Sequence, residues 1–81
     1  MKRDKLISAI FTRRTVRFDD VVTLLKGLGC TYVSDDAGSR VHFTSADGTR
    51  LNLHAPHPGN ELNKYQMKDV RDFLKELGHA P

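Results

Sequence analysis

The sequence predicts an α+β domain in which helices cover one face of a three-stranded antiparallel sheet, in the order α-α-β-β-β-α. Apolar residues recur with helical spacing as far as Gly29 and again after Asn63. Between these points, polar and apolar residues alternate, as they do in a strand with one buried face. With 81 residues and no tract long enough to separate two domains, we expect residues 1–81 to form a single domain.

The composition is typical of a globular protein, with 38% hydrophobic and 28% charged residues. No run approaches the roughly 18 apolar residues of a membrane span, and no apolar stretch resembling a signal peptide follows the basic start. The lone Cys30 excludes an internal disulfide and a cysteine-rich zinc site. We therefore expect a cytoplasmic protein without a membrane partner, a bound metal or a small-molecule cofactor.

Two helices are predicted before Gly29. Leu6, Ile7, Ile10 and Phe11 form one apolar stripe in the stretch from Arg3 to Phe11. The second helix has its stripe at Val21, Leu24, Leu25 and Leu28. Asp19 can cap this helix, and Gly29 can supply the left-handed residue that commonly ends one.

Three strands follow, at 31–33, 40–44 and 50–54, and the last two form a hairpin. A two-residue Asp-Gly loop would mix polar and apolar side chains on each face of the hairpin. A three-residue loop at 46–48, with Gly48 or a neighbour at the bulge position, keeps the faces distinct. We therefore predict that Val41 and Phe43 pair with Leu51 and Leu53 on the buried face. The other face collects Arg40, His42, Thr44, Arg50, Asn52 and His54.

The segment 54–60 contains two prolines, which remove hydrogen-bond donors, so it predicts a rigid loop that carries histidines. Asn63 and Gln66 have the spacing of a capping box at the start of the last helix. This helix has its apolar stripe at Val70, Phe73, Leu74 and Leu77, and Gly78 ends it.

Positive charge is concentrated in two places. Residues 1–17 contain six basic residues against one acidic residue, whereas the remaining residues contain seven against nine. On the last helix, a basic ridge recurs at i, i+4, i+7 and i+11: Lys64, Lys68, Arg71 and Lys75. Phosphates of RNA would offset the repulsion along this ridge. The alternative is a solvated helix face whose charges pair with neighbouring acids.

Three of the four histidines, His42, His54 and His57, lie on or just after the hairpin. His42 and His54 share the polar face with Arg40 and Arg50, opposite or diagonal to each other. Two imidazoles and an arginine are suited to metal-free RNA cleavage: one imidazole deprotonates the 2′-hydroxyl, another protonates the leaving oxygen, and the guanidinium stabilises the phosphorane. The alternative is that these histidines are simply polar residues on an exposed strand face.

Several short motifs occur together in a fixed order: Gly38-Ser39-Arg40-Val41-His42-Phe43, Asp47-Gly48, Leu53-His54-Ala55-Pro56-His57-Pro58 and Phe73-Leu74-Lys75-Glu76-Leu77-Gly78. In this order and spacing they resemble the HicA toxins, small mRNA interferases of bacterial toxin–antitoxin pairs. The resemblance covers roughly Val21 to Gly78. We expect a core at residues 18–78 and a basic, helical N-terminal extension at residues 1–17.

The resemblance implies a fold like that of double-stranded-RNA-binding domains, metal-independent cleavage of mRNA, and neutralisation by a HicB-type antitoxin that covers the active face. The family's catalytic histidine follows a Gly-Ser or Gly-Gly pair, and Arg40 holds that place here. Either the imidazole function has moved to His42 or His54, or the chain binds RNA or a partner without cutting RNA.

We expect His42 to act as the general base, because it can exchange protons and Arg40 cannot. The expected catalytic residues are His42, Arg40, His54 and His57. The expected RNA-binding residues are Ser39, Arg50, Lys64, Lys68, Arg71 and Lys75.

Overall fold

The computed structural model describes residues 2–35, 38–56 and 59–79. Three helices and three strands follow the predicted order: α1 (Lys2–Thr12), α2 (Phe18–Gly27), β1 (Thr31–Ser34), β2 (Arg40–Thr44), β3 (Arg50–His54) and α3 (Lys64–Glu76). The predicted α+β fold is thus confirmed. Within the described ranges, no helix has both the length and the apolar character needed to span a membrane.

The strands form an antiparallel sheet in the order β1-β2-β3, and the hairpin has the predicted register. Val41 pairs with Leu53, and Phe43 pairs with Leu51. The loop closes where the Ser45 amide donates to the Thr49 carbonyl at 2.8 Å, which leaves three residues between them. The last of these, Gly48, has a φ of +90°, which explains why glycine is required at the bulge position.

The hydrophobic core lies between the sheet and the helices. The four paired hairpin residues are at most 6% exposed. They pack with the apolar stripes of α2 and α3, which bury Val21, Leu24, Leu25, Met67, Val70, Phe73 and Leu74. Helix α2 contacts β1, α3 contacts β3, and α1 contacts both of these helices, with Ile10 buried. The helices therefore cover one face of the sheet and leave the polar face open.

Local signals account for three of the predicted helix ends. At the start of α3, Asn63 and Gln66 form the complete predicted capping box. Helices α2 and α3 end in the same way, with Gly29 and Gly78 at positive φ. In each case the amides of the glycine and of the residue after it donate to carbonyls of the last helical turn.

The start of α2 differs from the prediction. Asp19 is not the cap: the N-cap residue is Arg17, which makes no side-chain capping bond. Arg17 forms an isolated β-bridge with Glu61, and the Phe18 amide donates to the Asn60 carbonyl at 2.6 Å. This distant segment satisfies the first free amide of the helix, so α2 begins before Asp19. Asp19 lies in the first turn and accepts a hydrogen bond from the Asn60 side chain.

Candidate active site on the exposed sheet face

The polar face of the hairpin brings together three of the residues that the sequence singles out as catalytic. Arg40 and His42 are two positions apart on β2, so their side chains leave the same face. His54 is the last residue of β3, and its backbone pairs directly with that of Arg40. Arg40 and His54 are exposed and His42 is half-buried, so all three are accessible to a ligand.

The strand pairing fixes how these three side chains are spaced. The Ala55 amide donates to the Ser39 carbonyl, so the next pair, Arg40 with His54, is a narrow pair without ladder hydrogen bonds. Side chains of such pairs lie close together. His42 pairs with Asn52 and is therefore the diagonal neighbour of His54. Diagonal neighbours on two antiparallel strands are roughly 7–8 Å apart. A guanidinium and two imidazoles thus belong to neighbouring residues in one area of the polar face.

This area lies in a cleft of about 680 Å³. The three side chains line the cleft together with Val33 of β1, Asn52 of β3 and residues of the first turns of α3. Tyr65, Gln66 and Asp69 are the α3 side chains that contribute. The site is therefore a concave pocket between the sheet face and the start of α3 rather than a flat strand surface.

A hydrogen bond ties His54 to helix α3. The side-chain amide of Gln66 donates to the His54 carbonyl at 2.7 Å, while its oxygen accepts from the Asn63 amide at 3.0 Å. One side chain therefore both caps α3 and holds the end of β3 against it. This bond fixes the backbone of His54 at the point where the chain leaves the sheet.

At the other end of the cleft, Asp35 organises the turn that leads into β2. Its carboxylate accepts hydrogen bonds from the Ser39 amide at 3.0 Å and from the Ser39 hydroxyl at 3.4 Å. Desolvation raises the pKa of Asp35, but hydrogen bonds from the backbone of Arg40 and Ser39 outweigh it and lower the pKa overall. The expected RNA-binding residue Ser39 thus also orders the approach to Arg40.

The residues of the basic ridge on α3 make different kinds of contact. Lys68 pairs with Asp72 at 2.7 Å, and this hydrogen bond raises the pKa of Lys68 and lowers that of Asp72. Arg71 donates to the carbonyls of Ile10 and Arg13, at the end of α1. The ridge therefore combines exposed charge with a structural contact.

The remaining ridge residues, Lys64 and Lys75, are exposed. Lys64 places its ammonium 5.3 Å from the centre of the Tyr65 ring. Arg50, the other basic residue of the polar face, lines a smaller groove of about 260 Å³ beside Asp69, Asp72 and Glu76 of α3. Exposed positive charge thus lies on both α3 and the sheet, with acidic residues between.

One expected site residue cannot be located, because His57 lies outside the described residues, as does Pro58 of its Pro-His-Pro motif. Among the residues that are described, no group of three or more His, Cys, Asp or Glu side chains is arranged to hold a metal ion. Cys30 is buried, as expected of a small apolar residue, and burial raises its thiol pKa.

Sequence reasoning missed the contributions of Tyr65 and Gln66 to the cleft. Tyr65 gave a usable signal, because it is an aromatic residue off the apolar stripe of its helix. Gln66 was predicted only as half of a capping box; its bond to His54 depends on how α3 packs against β3, which the sequence pattern does not contain.

The chain matches a known protein family. Residues 18–79 match the family described as HicA toxin of bacterial toxin-antitoxin. Comparisons with curated proteins and with solved structures give no significant match. The matched segment runs from the first residue of α2 past the end of α3, so it includes the whole sheet and the cleft. Since it covers most of the sequence, the chain belongs to the HicA toxin family of bacterial toxin–antitoxin systems.

Proposed function

We propose that this chain is a toxin that cleaves mRNA without a metal ion and is neutralised by a HicB-type antitoxin. The observation that carries the proposal is the grouping of Arg40, His42 and His54 in one cleft. Family membership supports the toxin role, and the cleft supplies residue types that can perform the chemistry.

The proposed reaction is an attack of the RNA 2′-oxygen on the adjacent phosphorus. The neutral imidazole of His42 accepts the proton of the 2′-hydroxyl as the oxygen–phosphorus bond forms. The guanidinium of Arg40 stabilises the charge on the phosphorane oxygens. The imidazolium of His54 donates a proton to the departing 5′-oxygen as its bond to phosphorus breaks. The products are a 2′,3′-cyclic phosphate and a fragment with a 5′-hydroxyl.

The residues fit these roles because imidazole changes charge readily between about pH 5 and 8, whereas a guanidinium stays charged. A base and an acid must act on the two sides of one phosphate. A diagonal pair across β2 and β3 provides such an arrangement, with Arg40 directly facing the acid. His57 would follow His54 by three residues and remains a further candidate for this site.

The antitoxin is proposed to act by covering this cleft. The cleft is open at the surface, and its rim exposes Arg40 and His54. A HicB-type partner bound there would exclude RNA from the histidines. Outside the cleft, we propose RNA contacts at Ser39, Arg50 and the exposed lysines of α3, which would bind phosphates along the strand.

The test combines purified protein with induction in cells. The protein should cleave a long mRNA in the presence of EDTA, and polynucleotide kinase should label the 5′-hydroxyl fragments directly. His42→Ala should slow cleavage by about 10²–10⁴-fold and abolish growth arrest, because it removes the general base. His79→Ala is the matched control, since His79 follows α3 and does not line the cleft.

The alternative is a module on the same scaffold that binds RNA or a partner without catalysis, which is favoured by Arg40 at the place of the family histidine. It predicts RNA binding without cleavage and no effect of His42→Ala on transcripts. If His54→Ala or His57→Ala abolished cleavage while His42→Ala did not, the base would be that other imidazole. Coexpression of the neighbouring open reading frame should restore growth if that frame encodes the antitoxin.

A further inference from the structure

Two large hydrophobic side chains are exposed among the described residues, and both line the cleft that contains Arg40, His42 and His54. Val33 on β1 is 43% exposed, and Tyr65 on α3 is 69% exposed. All other large apolar side chains in the described ranges are buried or partly buried in the core. The Tyr65 ring therefore offers open aromatic surface to a ligand in the same cleft as the candidate catalytic groups.

The backbone that carries Tyr65 is held next to the end of β3. Tyr65 immediately precedes Gln66, whose side chain bonds to the His54 carbonyl and to the Asn63 amide. The ring therefore stands in the first turn of a capped helix that is tied to the end of β3.

The surroundings of the ring combine open aromatic surface with positive charge. The ammonium of Lys64 lies 5.3 Å from the ring centre, while the high exposure of Tyr65 leaves ring surface open to a ligand. Arg40 and His54 line the same cleft and could contact the phosphate of a nucleotide whose base lay on the ring. Flat aromatic surface next to positive charge is the combination that binds unpaired nucleotides.

We infer that Tyr65 stacks against a nucleobase of the RNA beside the scissile phosphate, so that the cleft takes an unpaired nucleotide. The inference rests on the proposed function for the identity of the ligand. Tyr65 acts as a positioning residue: it holds one base, and thereby the attached ribose and phosphate, near His42 and His54. Val33 contributes apolar surface on the other side of the cleft, on strand β1.

The test uses single-stranded 12-nucleotide RNA that is fully 2′-O-methylated and therefore lacks the attacking hydroxyl. A 2-aminopurine placed at successive positions reports stacking by quenching of its fluorescence. The unmodified protein should quench at least one position, and Tyr65→Ala should abolish the quenching. Loss of one base–aromatic stack should weaken binding by roughly 5- to 150-fold.

Two further variants separate the ring from its hydroxyl and its bulk. Tyr65→Phe should bind and quench as the unmodified protein does, because it keeps the aromatic face. Tyr65→Leu keeps apolar bulk without a flat ring and should behave like Tyr65→Ala. Because Tyr65 is largely exposed, all three variants should unfold at the same urea concentration as the unmodified protein.

The outcomes distinguish this inference from the proposed function. If Tyr65→Ala binds and quenches normally while the unmodified protein cleaves RNA, stacking is refuted and cleavage stands. If quenching depends on Tyr65 but no RNA is ever cut, stacking stands and the catalytic proposal fails. Equal losses in Tyr65→Phe and Tyr65→Ala would assign the effect to the hydroxyl and overturn the inference, as would normal quenching by Tyr65→Leu.

Discussion

Arg71 is predicted to hold helix α1 on the domain, and its replacement should destabilise the fold. Its guanidinium donates from Nε to the Ile10 carbonyl at 2.7 Å and from Nη2 to the Arg13 carbonyl at 2.9 Å. These carbonyls lie at the C-terminal end of α1, where backbone acceptors lack partners within the helix and carry the negative end of its dipole. The Arg71 guanidinium supplies hydrogen-bond donors to these carbonyls and positive charge at the negative end of the dipole.

The magnitude follows from these two bonds. A hydrogen bond that involves a charged group contributes about 1.5–3 kcal/mol to the free energy of unfolding. Because Arg71 is partly exposed, each of its two bonds should contribute an amount at or below the lower end of this range. Arg71→Met should therefore lower the free energy of unfolding by about 2–3 kcal/mol. That is a large share of the roughly 5–15 kcal/mol typical of a domain, and it should lower Tm by about 10–20 °C.

Urea unfolding followed by circular dichroism measures this loss, with Lys75→Met as the matched control. Lys75 is an exposed cation on the same helix, so its loss changes the net charge without removing a bond to α1. Arg71→Lys should also be destabilised, because one ammonium cannot reproduce the two-pronged contact. If Arg71→Met unfolds like the unmodified protein, the contact contributes nothing and Arg71 is free to bind phosphate as the ridge hypothesis requires.

Two further predictions concern smaller hydrogen-bonded elements. Gln66→Ala should lower the free energy of unfolding by about 1–2 kcal/mol, because it removes the bonds to His54 and Asn63; an unchanged urea midpoint would contradict this. In the hairpin loop, bonds from Ser45 and then Thr49 lower the pKa of Asp47 to about 2. These bonds favour the ionised carboxylate and therefore stabilise the folded state above about pH 4, and this stabilisation is lost toward pH 2. The Tm of the unmodified protein should thus exceed that of Asp47→Asn by less as the pH falls across that range.

The parts of the fold that the sequence predicted accurately are those set by local pattern. Strands β2 and β3 were placed to the residue, because alternation defines the buried face and Gly48 allows only one loop that keeps it. The capping box at Asn63 was also predicted, since both of its partners lie within one turn. In each of these cases the deciding contacts are close in sequence.

The sequence analysis was wrong or incomplete where contacts with a distant part of the chain determine the structure. The α2 start was misplaced because residues 60 and 61 hold the backbone just before the helix, although Asp19 is the better local cap. Arg71 fits a regular basic ridge by spacing, yet its bonds go to the end of α1, about 60 residues earlier in the chain. Periodicity shows which face of a helix a residue lies on and does not show what packs against that face.

The resemblance to the HicA toxins implies that Arg40 stands where the family has its catalytic histidine, and the proposed site then has its imidazole two residues further along β2. A shift of two residues along a strand keeps a side chain on the same face and moves it by roughly 7 Å. His42 therefore lies nearer the middle of the sheet, in a row with Val33 on β1 and Asn52 on β3. Under the proposed function, the 2′-hydroxyl would lie over this row and the leaving oxygen toward His54, at the rim nearest Tyr65. Arg40, directly opposite His54, would then contact the phosphate, a role that its permanent charge suits better than proton transfer.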